Sequence, residues 1–214
     1  DVDRAVQNVF AAVVDLEIDD IEPRVYQALE AGAEPQAVLV EGLGVGMRAV
    51  GERFETGEYY LTDLVLAGEV MKAGLVPLEP LLATESVQGQ GTVVLATVEG
   101  DIHEIGKNLV HTMLQAAGYH VVDLGVDVPA ARIVEAVRQH QAQAVALSVL
   151  LTPMVPKLQD VVQELTEAGL RSQVKVIIGG ACTTPGLAEE MGCDAHGADA
   201  VVAVRVCERM LSTH

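Results

Sequence analysis

From residue 92 to the end of the chain, short apolar segments alternate with amphipathic segments of helical length. The apolar segments are rich in valine, leucine and isoleucine, which is typical of buried strands. Alternation of this kind predicts βαβ units and therefore an α/β fold built on a doubly wound parallel sheet. The strands are predicted at residues 92–98, 121–124, 144–148 and 174–178, and the helices at residues 105–117, 129–139, 153–168 and 198–211.

The first part of the chain has a helical period and no strand pattern. Four amphipathic helices are predicted there, at residues 2–16, 21–31, 35–54 and 60–82. A four-helix bundle is the simplest way to pack them. The polar, glycine-containing stretch that follows has no periodicity and reads as a hinge. We therefore expect a helical domain at residues 1–84, a linker at residues 85–91 and an α/β domain at residues 92–214.

A histidine lies on the short loop between the first predicted strand and its helix. This loop follows the carboxyl end of a strand, where open α/β sheets bind ligands. Through one ring nitrogen His103 could bind a metal, while Asp101 accepts the proton of the other. Gly106 would let the helix begin close to a ligand. Taken in isolation, the same residues could equally be a solvated histidine and a helix N-cap.

Two further patterns end the third and fourth predicted strands at the same edge of the sheet. Ser148 and Thr152 bring hydroxyl groups on either side of Leu150, and Gly179 and Gly180 bring a surface without side chains. Such a surface suits a flat, extended ligand that needs a polar anchor. Each pattern alone is more often an ordinary strand end or turn.

In this order, the patterns D-x-H-x-x-G, S-x-L and G-G resemble the cobalamin-binding domain of the methionine synthase type. The resemblance implies a four-helix bundle cap followed by a Rossmann-like, flavodoxin-like sheet, with cobalamin bound base-off and His-on. It makes His103 the lower cobalt ligand and Asp101 the residue that tunes it, so that these two carry the chemistry. The expected cofactor contacts in the α/β domain are Asp101, Ile102, His103, Glu104, Ile105, Gly106, Ser148, Leu150, Thr152, Gly179 and Gly180.

The helical segment resembles the cap that precedes the corrinoid domain in methionine synthase and in small corrinoid proteins. The resemblance implies that Met47, Phe54, Leu61 and Leu64 lie over the upper face of the corrin and shield the methyl group. A methionine, phenylalanine or leucine at helical spacing is also the ordinary composition of a helical core.

The chain departs from the family pattern at two positions. A serine that extends the His-Asp pair into a proton relay in methionine synthase is replaced by Met154, so the relay is expected to end at Asp101. His196 stands where the family has an aromatic residue, and we expect it to make a strand-end contact and not to bind cobalt.

Composition excludes several classes of protein. With 31 acidic and 13 basic residues, the net charge of -18 argues against nucleic-acid binding. No apolar run reaches the roughly 18 residues of a membrane span, and no signal peptide is visible. The three cysteines have no C-x-x-C spacing, which favours a reducing cytoplasm.

Related classes of cobalamin protein are also disfavoured. Cobalamin photoreceptors carry a tryptophan and a Glu-His pair in their helical domain, whereas this chain has no tryptophan and no histidine before His103. Mutases join their cobalamin domain to a large barrel, which does not fit in 214 residues. No segment is left over for binding a methyl donor or a folate.

The resulting hypothesis is a corrinoid carrier that shuttles a methyl group between two enzymes. A substrate-specific methyltransferase would load it, and an acceptor methyltransferase using tetrahydrofolate or a thiol would unload it, with a reductive activase as a possible third partner. The alternative is a cobalamin-dependent sensor or a corrinoid storage module. The sequence leaves open the methyl donor, the native lower base and the oligomeric state.

Overall fold

The computed structural model describes residues 1–82 and 89–212. Contacts divide the chain into a helical unit, residues 1–88 together with residues 116–118, and an α/β unit, residues 89–115 and 119–214. Residues 85–88 of the predicted linker lie outside the described residues, so the linker stays a prediction.

The helical unit follows the four predicted segments, with two local differences. The third segment is one continuous helical stretch in which a π-helix, Val38–Gly44, joins α3 to α4. The fourth is interrupted after Leu75 and resumes as a short helix. The α-helices of this unit are α1 Val2–Val14, α2 Ile21–Glu30, α3 Pro35–Ala37, α4 Val45–Glu55, α5 Leu61–Leu75 and α6 Glu79–Leu82.

The α/β unit is a parallel sheet with the strand order β2-β1-β3-β4-β5. This is the flavodoxin-like order, so the predicted fold class is confirmed. The strands are β1 Thr92–Thr97, β2 His120–Asp123, β3 Ala144–Ser148, β4 Lys175–Gly179 and β5 Ala195–Gly197. The helices are α7 Ile105–Ala116, α8 Ala130–His140, α9 Pro156–Glu167, α10 Pro185–Glu190 and α11 Ala200–Leu211.

The core of this unit explains why the strands read as continuous apolar runs. Residues 93–97 of β1 are all buried, which is typical of a parallel sheet covered on both faces. On one face, Val94, Ala96 and Leu147 pack with apolar residues of α8 and α9 in a single cluster. At the end of the sheet formed by β4 and β5, α11 contacts both of these strands.

Two elements of this unit were not predicted from the sequence. Strand β5 has three residues, too few to show a period, and it is defined by its pairing with Ile177, Ile178 and Gly179 of β4. Helix α10 is short and begins after Thr184, whose side chain caps it. The predicted helix at 153–168 instead begins as a 3-10 turn, Thr152–Met154, and becomes α-helical at Pro156.

Within the described residues, no helix is both long enough and apolar enough to cross a membrane.

Candidate functional site

The candidate site lies where the strand order reverses. Strands β1 and β3 are neighbours in the sheet but their helices leave in opposite directions, which opens a crevice at their carboxyl ends. The last residues of three adjacent strands are in register there: Thr97 pairs with Ser148, and Ser148 pairs with Gly179. The three predicted patterns are therefore brought to one edge of the sheet.

Asp101 ties the loop after β1 to the loop after β3. Its side chain is fully buried, and one carboxylate oxygen accepts hydrogen bonds from His103 Nδ1 at 2.7 Å and from the His103 main-chain N at 3.0 Å. The other oxygen accepts from the main-chain N of Leu150 at 2.7 Å and of Leu151 at 3.1 Å. Four donors therefore surround one carboxylate.

These hydrogen bonds keep Asp101 ionised. Burial by itself raises the pKa of this carboxyl, but the bonds from His103, Leu150 and Leu151 outweigh burial and lower the pKa to about 2. Because an ionised carboxylate can only accept, the imidazole proton lies on Nδ1. The lone pair on Nε2 is then available for a metal ion, and the His103 side chain is 47% exposed.

The loop that carries His103 is also held from the strand beneath it. Thr97 is fully buried at the end of β1, and its Oγ1 donates a 2.8 Å hydrogen bond to the carbonyl oxygen of His103. The histidine is therefore fixed at its ring, its amide and its carbonyl. A fixed imidazole loses little entropy when it binds a metal.

Met154 does not reach the Asp101 carboxylate, whose partners are the His103 ring and main-chain amides. The thioether instead lies against Gly100, where φ is +85° and a Cβ would overlap Met154 Sδ. The expectation that no side chain extends the pair beyond Asp101 agrees with this geometry. Leu150 and Leu151 amides occupy the acceptor sites that a hydroxyl group could otherwise use.

Exposed apolar side chains flank the histidine. Ile102 is 72% exposed and Ile105 is 68% exposed, while Leu150 and Leu151 of the facing loop are also exposed. A Cβ built on Gly106 would meet no atom within 4 Å, and Glu104 beside it is exposed. Apolar surface left open around a potential metal ligand is typical of a ligand-binding face.

The two glycines after β4 have a structural reason of their own. Gly180 has a φ of +125°, and a Cβ there would overlap the carbonyl oxygen of Val149. A Cβ on Gly179 would lie 3.2 Å from the carbonyl oxygen of Gly197. Their absence of side chains therefore lets the ends of β3, β4 and β5 approach each other, whether or not a ligand follows this path.

The hydroxyl groups predicted beside these glycines lie at the same edge. Ser148 is half-buried as the last residue of β3, and Thr152 is exposed at the start of the 3-10 turn.

His196 lies in β5, where its Nε2 is 3.0 Å from Thr183 Oγ1. Thr183 in turn donates to the Gly180 carbonyl at 2.6 Å, so His196 contacts the loop that follows β4.

A buried ion pair beside the site was missed by sequence reasoning. Lys107 of α7 is 3% exposed, and its Nζ lies 2.7 and 2.9 Å from the two carboxylate oxygens of Asp123 at the end of β2. His111 Nδ1 is 2.9 Å from the same carboxylate. Burial would raise the pKa of Asp123, but the His111 and Lys107 hydrogen bonds hold it well below its usual range. The available sequence signal was a lysine in the first turn of an amphipathic helix.

The four predicted cap residues differ in their exposure. Met47 is 2% exposed and Leu64 is 1% exposed, so both fill the core of the helical unit. Phe54 is half-buried and Leu61 is 56% exposed. The packing of the helical unit therefore accounts for Met47 and Leu64, and it leaves Phe54 and Leu61 with surface for a contact outside it.

Known proteins resemble this chain along both units. Family models described as B12 binding domains match residues 91–205 and residues 5–79. Dimethylamine corrinoid protein 1 of Methanosarcina acetivorans is 38% identical over 208 residues, which is 97% of each chain. The crystal structure of a novel cobalamin-binding protein from Desulfitobacterium hafniense DCB-2 matches with a TM-score of 0.76 at 35% identity over 98% of both chains. A chain of the methanol:cobalamin methyltransferase complex MtaBC from Methanosarcina barkeri matches with a TM-score of 0.86 at 27% identity, over 99% of this chain and 81% of that one.

Proposed function

Because this chain belongs to the B12-binding domain family in both of its units, we propose that it carries a methyl group on a corrinoid held by His103. It is a cobalamin-binding protein, and its relatives include a dimethylamine corrinoid protein and a chain of a methanol:cobalamin methyltransferase complex, which supports a role in a methyltransferase system. When bound, the corrinoid supplies a cobalt centre that accepts and releases a methyl group.

The Asp101–His103 pair is the observation that carries the proposal. Its donor set fits cobalt, because an imidazole with a fixed tautomer presents one nitrogen lone pair outside the sheet. The surroundings also fit a flat macrocycle, since Ile102 and Ile105 are exposed beside the ring and Gly106 has open space above it. A solvated loop histidine would need neither the buried carboxylate nor the apolar rim.

In this proposal, His103 binds the cofactor base-off and His-on through Nε2. Asp101 accepts a hydrogen bond from His103 Nδ1 and makes the imidazole a stronger metal ligand, as carboxylates do behind many metal-bound histidines. Thr97 keeps the loop in place through the His103 carbonyl.

The displaced nucleotide tail is proposed to follow the strand ends. Ser148 and Thr152 supply hydroxyl groups, and Leu150 supplies apolar contact at the entrance to that path. Gly179 and Gly180 add no side chain that would obstruct it. A slot with few polar anchors suits a long, mostly apolar tail.

We further propose that the helical unit caps the methyl group through Phe54 and Leu61. A capped methyl group cannot reach a substrate, so the predicted linker at residues 85–91 would have to permit opening. One methyltransferase would load the carrier and a second would pass the methyl group to tetrahydrofolate or a thiol, with a reductive activase restoring the cofactor when needed. The three cysteines are free thiols, which fits the cytoplasmic location that we expect.

The test is reconstitution of the purified chain with hydroxocobalamin, followed by reduction to the Co(II) form. The protein is labelled with 15N-histidine, because a cofactor bound base-on also splits the signal through a nitrogen of its own lower base. Electron paramagnetic resonance should then show splitting by one 15N nucleus on the lower face, and His103→Ala should remove it. His120→Ala is the matched control, because His120 is exposed at the opposite edge of the sheet. Retention of the 15N splitting in His103→Ala would refute the ligand assignment.

The carrier role itself is tested by methyl transfer. The loaded protein should exchange its methyl group with a candidate methyltransferase, and methylcobalamin should bind at least as well as adenosylcobalamin. A clear preference for adenosylcobalamin, with a change of oligomeric state on illumination, would instead indicate a sensor.

A further inference from the structure

The loop between β2 and α8, residues 124–128, runs alongside the turn that carries His103. It continues the pairing of β1 beyond the strand, because Thr97 N donates to the Gly125 carbonyl at 2.9 Å and Val128 N donates to the Thr97 carbonyl at 3.1 Å. Val128 also forms an isolated parallel bridge with Val98. This loop therefore forms one wall of the His103 turn, although it contains none of the predicted site residues.

Asp127 is the residue of this loop that contacts the turn directly. Its main-chain N donates to the Asp101 carbonyl at 2.9 Å, and its Oδ1 accepts from Gly100 N at 2.7 Å. Two consecutive residues of the turn are therefore held by one residue of the neighbouring loop. No such bond could be inferred from the spacing of the family motifs.

The backbone of Asp127 is held in an uncommon conformation. Its φ is +52°, one of three non-glycine residues with a positive φ among those that the structure describes. Aspartate tolerates this region better than most residues, but a glycine would adopt it with less cost. An aspartate here is exposed and fills no core space, so its side-chain acceptor is the property that distinguishes it.

The start of the same loop is anchored to the helix that follows His103. Gly125 N donates to Asp123 Oδ1 at 2.9 Å, and the Asp123 carboxylate binds Lys107 in the first turn of α7. The hydrogen bonds thus run from Lys107 through Asp123 and the loop to Asp127 and back to the turn. In the sequence, His103 lies between Asp101, which bonds to Asp127, and Lys107, which bonds to Asp123.

We propose that Asp127 is a positioning residue for the lower cobalt ligand. By holding Gly100 N and the Asp101 carbonyl, it sets the direction of the Asp101 carboxylate and, through it, the orientation of the His103 ring. This inference rests on the proposed function, since it needs His103 to be the ligand. The hydrogen bonds of Asp127 to the turn go to Gly100 and Asp101, so it acts on His103 through these two residues.

Three substitutions separate the possible contributions of Asp127. Asp127→Gly keeps the left-handed backbone and removes the acceptor, whereas Asp127→Asn keeps an acceptor oxygen and removes the charge. Gln141→Gly is the control, because Gln141 also has a positive φ, of 50°, but ends α8 at the opposite edge of the sheet. Each variant is labelled with 15N-histidine, loaded with hydroxocobalamin and reduced, and the ratio of His-on to His-off Co(II) is read from the 15N splitting. Thermal unfolding of the cofactor-free proteins accompanies each measurement.

We expect Asp127→Gly to lower the His-on to His-off ratio by about threefold, which is the scale of one solvent-exposed hydrogen bond. Asp127→Asn should restore the wild-type ratio, and Gln141→Gly should leave it unchanged. An unchanged ratio in Asp127→Gly would overturn the inference, as would an Asn variant that behaves like the Gly variant, because charge would then be the cause. A missing nitrogen signal in the wild-type protein would instead refute the proposed function.

Discussion

At the scale of single residues, Asp101 determines what the His103 loop can do. A buried carboxylate with four hydrogen-bond donors is satisfied only in its ionised form, and that form fixes the proton on His103 Nδ1. Half of these donors come from residues about 50 positions further along the chain. The cobalt ligand proposed here is therefore oriented as much by β3 as by its own loop.

The low pKa of Asp101 predicts a pH-dependent contribution to stability. A folded-state pKa of about 2, below the ordinary aspartate value of 3.8, stabilises the protein above pH 3.8, and this contribution is lost as the pH falls toward 2. Its size at neutral pH is about 2 kcal/mol, of which roughly half is lost by pH 3. Urea unfolding of the cofactor-free wild type and Asp101→Asn should show a difference that narrows by about 1 kcal/mol between pH 6 and pH 3. A difference that stays constant over this range would mean that Asp101 does not titrate as described.

Two glycines of the site are expected to respond differently to the same substitution. Gly180→Ala should lower the free energy of unfolding by about 2 kcal/mol or more, because its φ is positive and the new Cβ meets the Val149 carbonyl. Gly106→Ala lies in the first turn of α7 with open space around it, so it should leave the cofactor-free protein equally or more stable. If Gly106 faces the corrin, this second variant should bind hydroxocobalamin more weakly. Unfolding curves and cobalamin titrations of both variants distinguish the backbone role of Gly180 from the cofactor contact of Gly106. A Gly180→Ala variant as stable as the wild type would contradict the backbone role.

At the scale of elements, the site depends on which strands are neighbours. Strand β3 lies beside β1, so the loops that follow them share the crevice, while β2 and its loop support the turn from the other side. The Lys107–Asp123 pair joins α7 to the end of β2 in the same region. A buried ion pair therefore holds the helix that follows His103 against the end of β2.

Removing one member of this pair should destabilise the α/β unit strongly. Lys107→Met leaves the Asp123 carboxylate largely buried with only His111 and Gly125 as partners, and we expect a loss of about 3 kcal/mol in the free energy of unfolding. Lys72→Met is the matched control, since its partner Glu69 is exposed and such pairs contribute less than about 1 kcal/mol. Denaturant unfolding measures both. Equal effects of the two substitutions would show that burial of the Lys107 pair is unimportant.

At the scale of the whole molecule, cofactor binding and folding are expected to be linked. A ligand that binds only the folded protein raises its free energy of unfolding, by about 2.7 kcal/mol at a free concentration of 100 times the Kd. Hydroxocobalamin should therefore raise the midpoint of thermal unfolding, and the rise should be smaller for His103→Ala at the same concentration. Calorimetry with and without the cofactor measures this. An identical rise in both proteins would show that His103 does not contribute to the affinity for hydroxocobalamin.

Local patterns determined most of the fold and the identity of the pair at its centre. The helical and strand periods gave the order of elements, because each period reports which side of a segment faces a core. His103 and Asp101 could be paired in advance, since they are two residues apart on one turn. The four cap residues were harder to assign. Apolar side chains such as Met47 and Leu64 recur at the same helical spacing whether that face of the helix packs in a core or against a ligand.

What the tertiary structure alone decided is how distant segments meet at that pair. The amides of Leu150 and Leu151 at Asp101, the bond from Asp127 to Gly100, and the Lys107–Asp123 pair join residues 16 to 50 positions apart. Main-chain donors occur at every residue and carry no sequence signal. Strand β5 is likewise defined by pairing and not by its own three residues. The sequence thus specified a histidine with a carboxylate beside it, whereas the arrangement of neighbouring strands and loops decided which way that histidine points.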